Sequence, residues 1–591
     1  MDSRYSFFGF PERPVSWQRF LPYALLFSLT FSLYAASLYF DFIWDDIVYV
    51  VENYRIQELS LVRQQAIWTR SYLGHYAPIQ HTVLALLYSL SALEPFGYHL
   101  GQLLVHAACV CLLYFVLKKI ESARVAFLAS LLFAVHPTNI ETVAWISETK
   151  STLAFLFFLL SFWAFLRLRV HQRWPDGILC ALFLILSLLS KINTVVAPVI
   201  FFLYDEKQGL PFRKGRLWSL LGFFLISAIF VAIHLASFHG SEQSLESAYY
   251  GGLYVHLINM PLLVLFYVRM VVFPHPLSAW HLFPVYANFN WVVGGAWIAL
   301  LGNAWLLYRY RSGPSMRFWA LWFLVFLAPV LQIIPFPIWV AERYLYIPAI
   351  GLFVLGSQLF FGLLDRISFV WLRWGWELAM LAILLAFARQ TDQHLPIWRS
   401  NLALWEATTP ACLTSAYCHM NLGLALLQAG RFQRGGEELV RAVEIRPAPQ
   451  YLSRLGDAFL FSARDHPQAI QAYRLAVDKA TAAMPGSPAL AEYYAKLARA
   501  YVIIGSLEQA QQAIESGKHL DRRNPRLWVA ESFLHWKQGN LDEARNSMRF
   551  VLIITGQRSN IARFIHYYWG DAAEVGRLLA ALRSSPPASR P

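Results

Sequence analysis

The chain has 591 residues, of which 57% are hydrophobic and 14% are charged. Soluble domains carry about 25% charged residues, so the composition excludes an ordinary soluble protein and indicates a polytopic membrane protein. The net charge of +13 does not indicate a nucleic-acid partner. Much of the basic excess lies in short loops between apolar runs, which is the pattern of the positive-inside rule.

The first apolar run, residues 17–40, follows several arginines and is longer than the core of about 7–15 residues in a typical signal peptide. We therefore predict an uncleaved first membrane helix with its N-terminus in the cytoplasm. Directly after this run stands Asp41-Phe42-Ile43-Trp44-Asp45-Asp46. A pair of carboxylates at the end of a membrane helix could act in catalysis. Asp45 and Asp46 could equally cap the next helix.

Charge asymmetry gives the predicted topology. Five basic clusters are assigned to the cytoplasm: Lys118, Lys119 and Arg124; Arg167, Arg169 and Arg173; Lys207, Arg213, Lys214 and Arg216; Arg309, Arg311 and Arg317; and Arg366 and Arg373. The outer loops are then 41–98, 137–150, 190–193, 238–292 and 335–344. This scheme predicts about eleven spans.

Two stretches are critical for this topology. The apolar stretch 253–272 must not cross completely, because a crossing would place the cluster around Arg309 outside, so we expect a buried or re-entrant helix there. The hairpin 175–204 has limbs that are short for a hydrocarbon core of about 30 Å. After the last span, 376–388, the soluble remainder lies on the outer side with the acidic motif.

The C-terminal region has a lower apolar content and a repeat. The small residues Gly435, Ala469, Ala510 and Ala544 recur at spacings of 34, 41 and 34. Tetratricopeptide repeats have about 34 residues and place small residues where their two helices pack closely. We predict a solenoid of about four repeats with a concave surface of the kind that binds peptides; a generic helical domain is the alternative.

The predicted fold class is therefore all-α, with a polytopic membrane domain followed by a solenoid. The membrane domain covers 1–390, and a linker covers 391–414. The repeats occupy 415–556, and 557–591 is predicted to hold a C-terminal helix and a disordered tail. Cys412 and Cys418 face the outer compartment and could pair, unless helix geometry holds them apart.

Several motifs together carry a family resemblance. They are 41–46 followed by Asn53; Tyr98-His99-Leu100 with His106; His136-Pro137 with Glu141, Trp145, Glu148 and Lys150; Leu189-Ser190-Lys191; and Ala341-Glu342-Arg343-Tyr344-Leu345-Tyr346-Ile347-Pro348. In this order they resemble the transmembrane-and-tetratricopeptide-repeat O-mannosyltransferase family and its bacterial relatives, which is similar to the C-type glycosyltransferase superfamily. The resemblance implies a polyprenyl-phosphate sugar donor on the lumenal or periplasmic face, inversion at the anomeric carbon, and neither a metal nor a further cofactor.

The resemblance makes Asp45 and Asp46 the acidic pair, one of them the base that takes the acceptor proton. The leaving phosphate needs cations in a poorly hydrated site. The isolated outer-side cations are the candidates for this role: Lys150, Lys191, Arg269 and Arg343. Seven further residues near these are predicted to support the site: Trp44, His75, Tyr76, Glu141, Glu148, Glu342 and Tyr344.

Simpler roles remain open for many of these residues. The alternative for the charged ones is internal ion pairing: Lys150 with Glu148 or Glu141, and Glu342 with Arg343. His99 and His106 are more simply packed core histidines than metal ligands. Pro137 should end a helix, because proline cannot continue the hydrogen-bond ladder.

Two departures from the family pattern bear on activity. Relatives have Tyr-Arg-Pro in the first loop, where this chain has Tyr76-Ala77-Pro78, and Ile192 follows Lys191 where relatives have a glutamate. His75 or Arg70 are the candidates to replace the missing arginine.

The leading interpretation is a membrane glycosyltransferase that moves a sugar from a polyprenyl-phosphate carrier to a protein Ser/Thr hydroxyl. It would lie in a bacterial inner membrane with its repeats in the periplasm, or in the endoplasmic reticulum membrane. The alternative is a catalytically inactive scaffold of the same architecture, whose repeats recruit partner proteins. A transporter is disfavoured, because the sequence has no inverted-repeat pattern.

Overall fold

The computed structural model describes residues 17–72, 74–210, 214–238, 252–309, 313–333, 338–555 and 561–584. Within these ranges the regular structure is helical. The apolar domain contains α1 (Leu21–Tyr34), α2 (Leu61–Thr69), α3 (Pro78–Ser91), α4 (Pro95–Leu117), α5 (Ala123–Val135), α6 (Ile140–Ala144), α7 (Thr149–His171), α8 (Trp174–Ser190), α9 (Ala197–Lys207), α10 (Lys214–Phe238), α11 (Leu253–Val272), α12 (Trp291–Arg309), α13 (Pro314–Leu327), α14 (Ala349–Leu364) and α15 (Val370–His394).

A second set of helices completes the chain. It comprises α16 (Asn401–Thr408), α17 (Ala416–Gln428), α18 (Phe432–Ile445), α19 (Pro449–Ala458), α20 (His466–Ala483), α21 (Leu490–Ile504), α22 (Leu507–Leu520), α23 (Pro525–Lys537), α24 (Leu541–Thr555), α25 (Ile561–Trp569) and α26 (Ala572–Ser584). The predicted class, an all-α membrane domain followed by a tetratricopeptide-like solenoid, is confirmed.

Among the described residues, ten segments besides α11 are apolar enough to serve as membrane spans. Five helices besides α11 are long and apolar enough, four more are apolar but only 10–17 residues long, and α5 with α6 forms a span bent by 57°. The bend follows Val135, where His136-Pro137 ends α5 as predicted. Helix α9 has 11 residues and is shorter than a full span; counting it as the second limb of the hairpin with α8 gives the predicted eleven.

The predicted cytoplasmic clusters meet at one end of this bundle, which we call the basic end. Lys207 Nζ lies 2.5 Å from Glu121 Oε1, and the Arg169 guanidinium lies 2.7 Å from Asp205 Oδ2. Ser315 Oγ donates to the same Glu121 carboxylate at 2.8 Å. Helix α9 therefore returns the chain to the basic end, so the short hairpin of α8 and α9 crosses the bundle.

Both termini of helix α11 lie near the end of the bundle that is opposite the basic end. The His256 ring stacks on Trp339 with centroids 4.9 Å apart, and the Val271 carbonyl accepts from His136 Nε2 at 3.0 Å. Trp339 and His136 lie in or beside the predicted outer loops. Although α11 is long enough to span, these contacts agree with a helix that does not cross completely.

The repeats form four helix pairs between Ala416 and Thr555, and α25 with α26 adds a fifth. The recurring small residues Gly435, Ala469, Ala510 and Ala544 are buried where the paired helices touch. The region after Thr555 thus holds two helices where we predicted one. The predicted tail, 585–591, lies outside the described residues.

The stretch that we expected to be a linker, 391–414, is ordered. Helix α16 places Leu404 and Trp405 in a buried cluster with Trp44 and Trp145 of the apolar domain. This cluster holds the repeats against the end of the bundle that lies opposite the basic end. Cys412, after α16, and Cys418, in α17, are buried and joined by a disulfide, so the pairing that the sequence left open is made.

We predict that Gly423→Ala destabilises the first repeat. A Cβ on Gly423 would lie 2.8 Å from Leu439 Cγ and 2.9 Å from the Gly435 carbonyl oxygen. Overpacking of this kind costs about 1–3 kcal/mol. Limited proteolysis and thermal unfolding of the full chain should both report the loss.

The matched control is Gly436→Ala on α18, where a Cβ meets nothing within 4 Å. Alanine in a helix interior is favoured over glycine by about 0.5–1 kcal/mol, so this variant should be as stable as the wild type or more so. Equal losses in the two variants would contradict the close approach of α17 and α18.

Candidate active site

The loop that follows α1, predicted to be the first outer loop, starts with an unusual backbone turn. Trp44 has φ of +50°, a left-handed conformation that bulky side chains seldom adopt. We call residues 44–52, which include Asp45 and Asp46, the acidic turn. Within it, Ile47–Val51 form a single turn of π-helix. Such turns are rare and occur often at functional sites.

Asp46 is a buried anchor for this loop. Its Oδ1 accepts hydrogen bonds from the Ser147 amide at 2.7 Å and the Ser147 hydroxyl at 2.5 Å, and its Oδ2 accepts from the Ile43 amide at 3.2 Å. Burial raises the pKa of Asp46 to about 7, although these hydrogen bonds favour the charged form. The Asp46 side chain does not cap the π-helical turn; it ties the loop after α1 to the segment that follows Trp145.

Asp45 has a different environment from its neighbour. It is partly exposed, and within the described residues its carboxylate makes no hydrogen bond. Burial raises the pKa of Asp45, while the charges of Lys150 and Arg343 oppose this rise. A carboxylate with a raised pKa, next to cations and open to a ligand, suits general base chemistry better than a fully hydrogen-bonded one.

Glu148 gathers three cations from separate parts of the chain. Its Oε2 accepts from Lys191 Nζ at 2.8 Å, while its Oε1 lies 3.5 Å from Lys150 Nζ and 3.7 Å from Arg343 Nε. Ser151 adds a hydroxyl that accepts from Lys191 Nζ at 2.7 Å. We call Lys150, Lys191 and Arg343 around Glu148 the cation cluster.

Arg343 is held by a second carboxylate and by aromatic rings. Its amide donates to Glu141 Oε2 at 2.7 Å, and its guanidinium pairs with the other oxygen of Glu141. The guanidinium also lies over Trp145, 5.4 Å from the ring centroid. Because its amide, its guanidinium nitrogen and the face over Trp145 all have partners, Arg343 has little freedom to move when a ligand binds.

Two nitrogen groups at the cluster have lowered basicity. Burial lowers the pKa of Lys191 to about 8, although Glu148 favours its charged form. Burial, and then the charge of Lys150, lowers the pKa of His75 to about 3, so its ring is neutral at physiological pH. The His75 ring stacks on His234 with centroids 6.2 Å apart. His75 therefore lies at the cluster but contributes no charge in place of the missing arginine.

The structure also separates some residues that the sequence grouped together. Glu342 does not pair with Arg343: its Oε1 accepts from the Ser278 amide at 2.7 Å and contacts His281 Nε2 at 3.0 Å. Arg269 is exposed and donates to the His275 carbonyl at 2.5 Å, so it is not part of the cation cluster.

The remaining predicted residues have the following positions. The Tyr76 hydroxyl donates to the Trp68 carbonyl at 2.8 Å, on the loop rather than on the cluster. The Tyr344 ring lies 5.1 Å from the Arg343 guanidinium. His99 and His106 are buried, and His106 Nδ1 contacts the Tyr346 hydroxyl at 2.7 Å, as expected of core histidines.

Some important residues gave no signal in the sequence. Ser147 and Ser151 bind the acidic carboxylates, but a serine beside a charged motif is too common to single out. Asn401 and Tyr417 contact Trp44 from more than 350 positions away, with distances of 2.7 and 2.8 Å. Only the folded chain shows these contacts, because no local pattern couples the two regions.

Comparison with known proteins agrees with the motifs. Residues 75–235 match the family model described as dolichyl-phosphate-mannose-protein mannosyltransferase. A protein O-mannosyl-transferase of Caenorhabditis elegans is 24% identical over 448 residues, covering 72% of this chain and 62% of its own. Mouse TMTC3, a protein O-mannosyl-transferase, is 22% identical over 488 residues, covering 72% and 51%. Human TMTC1 is 30% identical over 156 residues, covering 24% and 18%.

The chain thus spans about half to three fifths of the length of the first two relatives. The matches confirm the resemblance to the TMTC and PMT-type O-mannosyltransferase family. The family model covers Lys150 and Lys191, but the acidic turn and Arg343 lie outside it.

We predict that Glu148→Gln lowers the free energy of unfolding by about 3–5 kcal/mol, because it leaves buried cations without their partner. Thermal unfolding in detergent, followed by tryptophan fluorescence, measures the change. Asp392→Asn is the control: its pair with Arg389 is exposed, and such pairs are worth about 0–1 kcal/mol. A loss no larger than in the control would mean that Glu148 does not hold the cluster together.

Proposed function

Because the chain is a relative of the TMTC and PMT-type protein O-mannosyltransferases, we propose that it is a membrane glycosyltransferase. It moves a sugar from a polyprenyl-phosphate carrier to a protein Ser/Thr hydroxyl, with inversion at the anomeric carbon. The observation that carries the proposal is the position of Asp45 beside the cation cluster, within one partly open site.

Asp45 is the base in this proposal. It takes the proton of the acceptor hydroxyl as the hydroxyl oxygen attacks the anomeric carbon of the sugar. Asp46 holds the loop in place through Ser147, because its oxygens are already occupied by hydrogen-bond donors. The structure thus supports an assignment of the two roles that the sequence left open.

The cation cluster stabilises the leaving phosphate. As the bond between the anomeric carbon and the phosphate oxygen breaks, negative charge grows on the phosphate, and fixed cations in a dry site lower the barrier. Lys150 and Lys191 are the mobile members of the cluster, since their ammonium groups are point charges on flexible stems. Glu148 and Glu141 keep the cluster stable when the site is empty.

The reaction is proposed to take place on the outer face of the membrane. The basic clusters gather at one end of the bundle, which the positive-inside rule assigns to the cytoplasm, and the acidic turn lies at the other end with the repeats. The disulfide between Cys412 and Cys418 supports this orientation, because disulfides persist in oxidising compartments such as the periplasm or the endoplasmic reticulum lumen.

The inactive scaffold is the second candidate, and the two departures from the family pattern support it. Ala77 is buried, and Ile192 packs against the apolar core, so neither position supplies a charge to the site. Donor binding separates the candidates: a scaffold that has lost the chemistry through these changes would not bind a polyprenyl phosphate.

We predict that Asp45→Asn lowers the transfer rate by about 10²–10⁴-fold, because the amide cannot accept the proton. The assay uses purified full chain, dolichyl-phosphate mannose and a library of Ser/Thr peptides. Thermal stability and the Kd for dolichyl phosphate should stay near the wild-type values, since the Asp45 side chain makes no hydrogen bond among the described residues.

Asp46→Asn is the comparison variant. It should lower the thermal midpoint as well as the rate, because it disturbs the bonds to Ser147. Full transfer by the Asp45→Asn and Asp46→Asn double variant would remove the acidic pair from the mechanism.

We also predict that donor binding weakens above a pH of about 8. Lys191 is charged below its pKa of about 8 and neutral above it, so the attraction for phosphate fades as the pH rises. The Kd for dolichyl phosphate, measured from pH 6.5 to 9.5, should rise severalfold across this range. Lys191→Arg keeps its charge over the whole range and should flatten the curve; an unchanged pH profile in this variant would assign the titration to another group.

A further inference from the structure

The repeat domain holds the acidic turn at its first end through Trp44. The Trp44 amide donates to Asn401 Oδ1 at 2.7 Å, and its indole Nε1 donates to the Tyr417 hydroxyl at 2.8 Å. The Tyr417 ring is fixed in turn by stacking on Trp280 at 4.4 Å. Asn401 begins α16, and Tyr417 belongs to the first repeat helix.

The repeat domain reaches the other end of the turn through Glu52. The Glu52 amide closes the turn on the Ile47 carbonyl at 2.8 Å, and its carboxylate lies 3.4 Å from the Arg526 guanidinium. Arg526 begins the fourth repeat and is itself fixed by a pair with Glu492 of the third repeat. The contact therefore joins the loop to a supported part of the solenoid.

The acidic turn needs this external support. Trp44 has a left-handed backbone that costs energy for a bulky residue and persists only where the surroundings impose it. The next residue is Asp45, so any relaxation at Trp44 redirects the carboxylate. A displacement of about 1 Å at a reacting group can cost on the order of 100-fold in rate.

We propose that the repeat domain contributes to the active site. In this proposal Tyr417 and Arg526 are positioning residues that hold the acidic turn, which carries Asp45. This inference rests on the proposed function. Tyr417 acts through Trp44 and Arg526 acts through Glu52, and neither touches the substrate.

Two matched pairs of variants test the proposal. Glu52→Gln and Glu531→Gln each remove one carboxylate that pairs with a cation of the repeats, but only Glu52 belongs to the loop, since Glu531 pairs with Lys518. Tyr417→Phe and Tyr501→Phe each remove a hydroxyl from a repeat helix, but that of Tyr501 accepts from Arg474, away from the loop. Each variant is made in the full chain and assayed with dolichyl-phosphate mannose.

Glu52→Gln and Tyr417→Phe should lower kcat on the order of tenfold, with KM for the donor unchanged. Backbone amides of 44–52 should exchange hydrogen faster in these two variants. Glu531→Gln and Tyr501→Phe should leave kcat and the exchange of this loop as in the wild type, and Glu52→Asp should restore part of the rate.

Equal kcat values within each pair, or equal exchange of the loop, would overturn the proposal. If the wild type transfers no sugar, the proposed function fails by itself. Hydrogen exchange then still decides whether the repeats hold the turn: faster exchange in Glu52→Gln than in Glu531→Gln supports it, and equal exchange refutes it.

Discussion

The buried carboxylate of Glu148 is the interaction on which the site depends. Three cations cannot share a poorly hydrated space without a counter-charge, because each unpaired buried charge is costly. Glu148 stands just before α7, whereas Lys191 follows α8 and Arg343 precedes α14. Their common attraction to one carboxylate therefore fixes how three parts of the bundle meet, and it prepares a place for phosphate without a change of fold.

The acidic pair shows how two adjacent identical residues acquire different environments. Asp46 turns inward to three hydrogen-bond donors, while Asp45 turns toward Lys150 and Arg343. The divergence begins at Trp44, whose stacking on Trp145 at 4.4 Å accompanies its left-handed backbone. Since Arg343 also lies over Trp145, the ring that shapes the acidic loop helps to hold the cation cluster.

Much of this architecture could be predicted from the sequence, and the reason lies in periodicity and charge. Apolar runs and basic loops predicted eleven spans and their common basic end, and small residues such as Gly435 and Ala469 predicted the repeat packing. The direction of a side chain could not be predicted in the same way. Arg269 is isolated in sequence like Lys191, yet it faces a carbonyl outside the cluster, because its orientation depends on where α11 ends. The stretch 391–414 was interpreted as a linker for a similar reason: much of the burial of Trp405 comes from residues far away in sequence, such as Trp44.

The contacts of the solenoid also bear on its role. The charges on the first helices of the second and third repeats are already paired, with Asp457 bound to Lys496 and Arg499 at 2.6 Å each. The Tyr568 hydroxyl at the end of α25 donates to the Ala495 carbonyl at 2.7 Å, so the chain itself covers part of these helices. A peptide laid along them would have to displace α25 and compete with internal ion pairs that are costly to break. These helices are therefore better suited to support Arg526, and through it the acidic turn, than to display an extended peptide along their length.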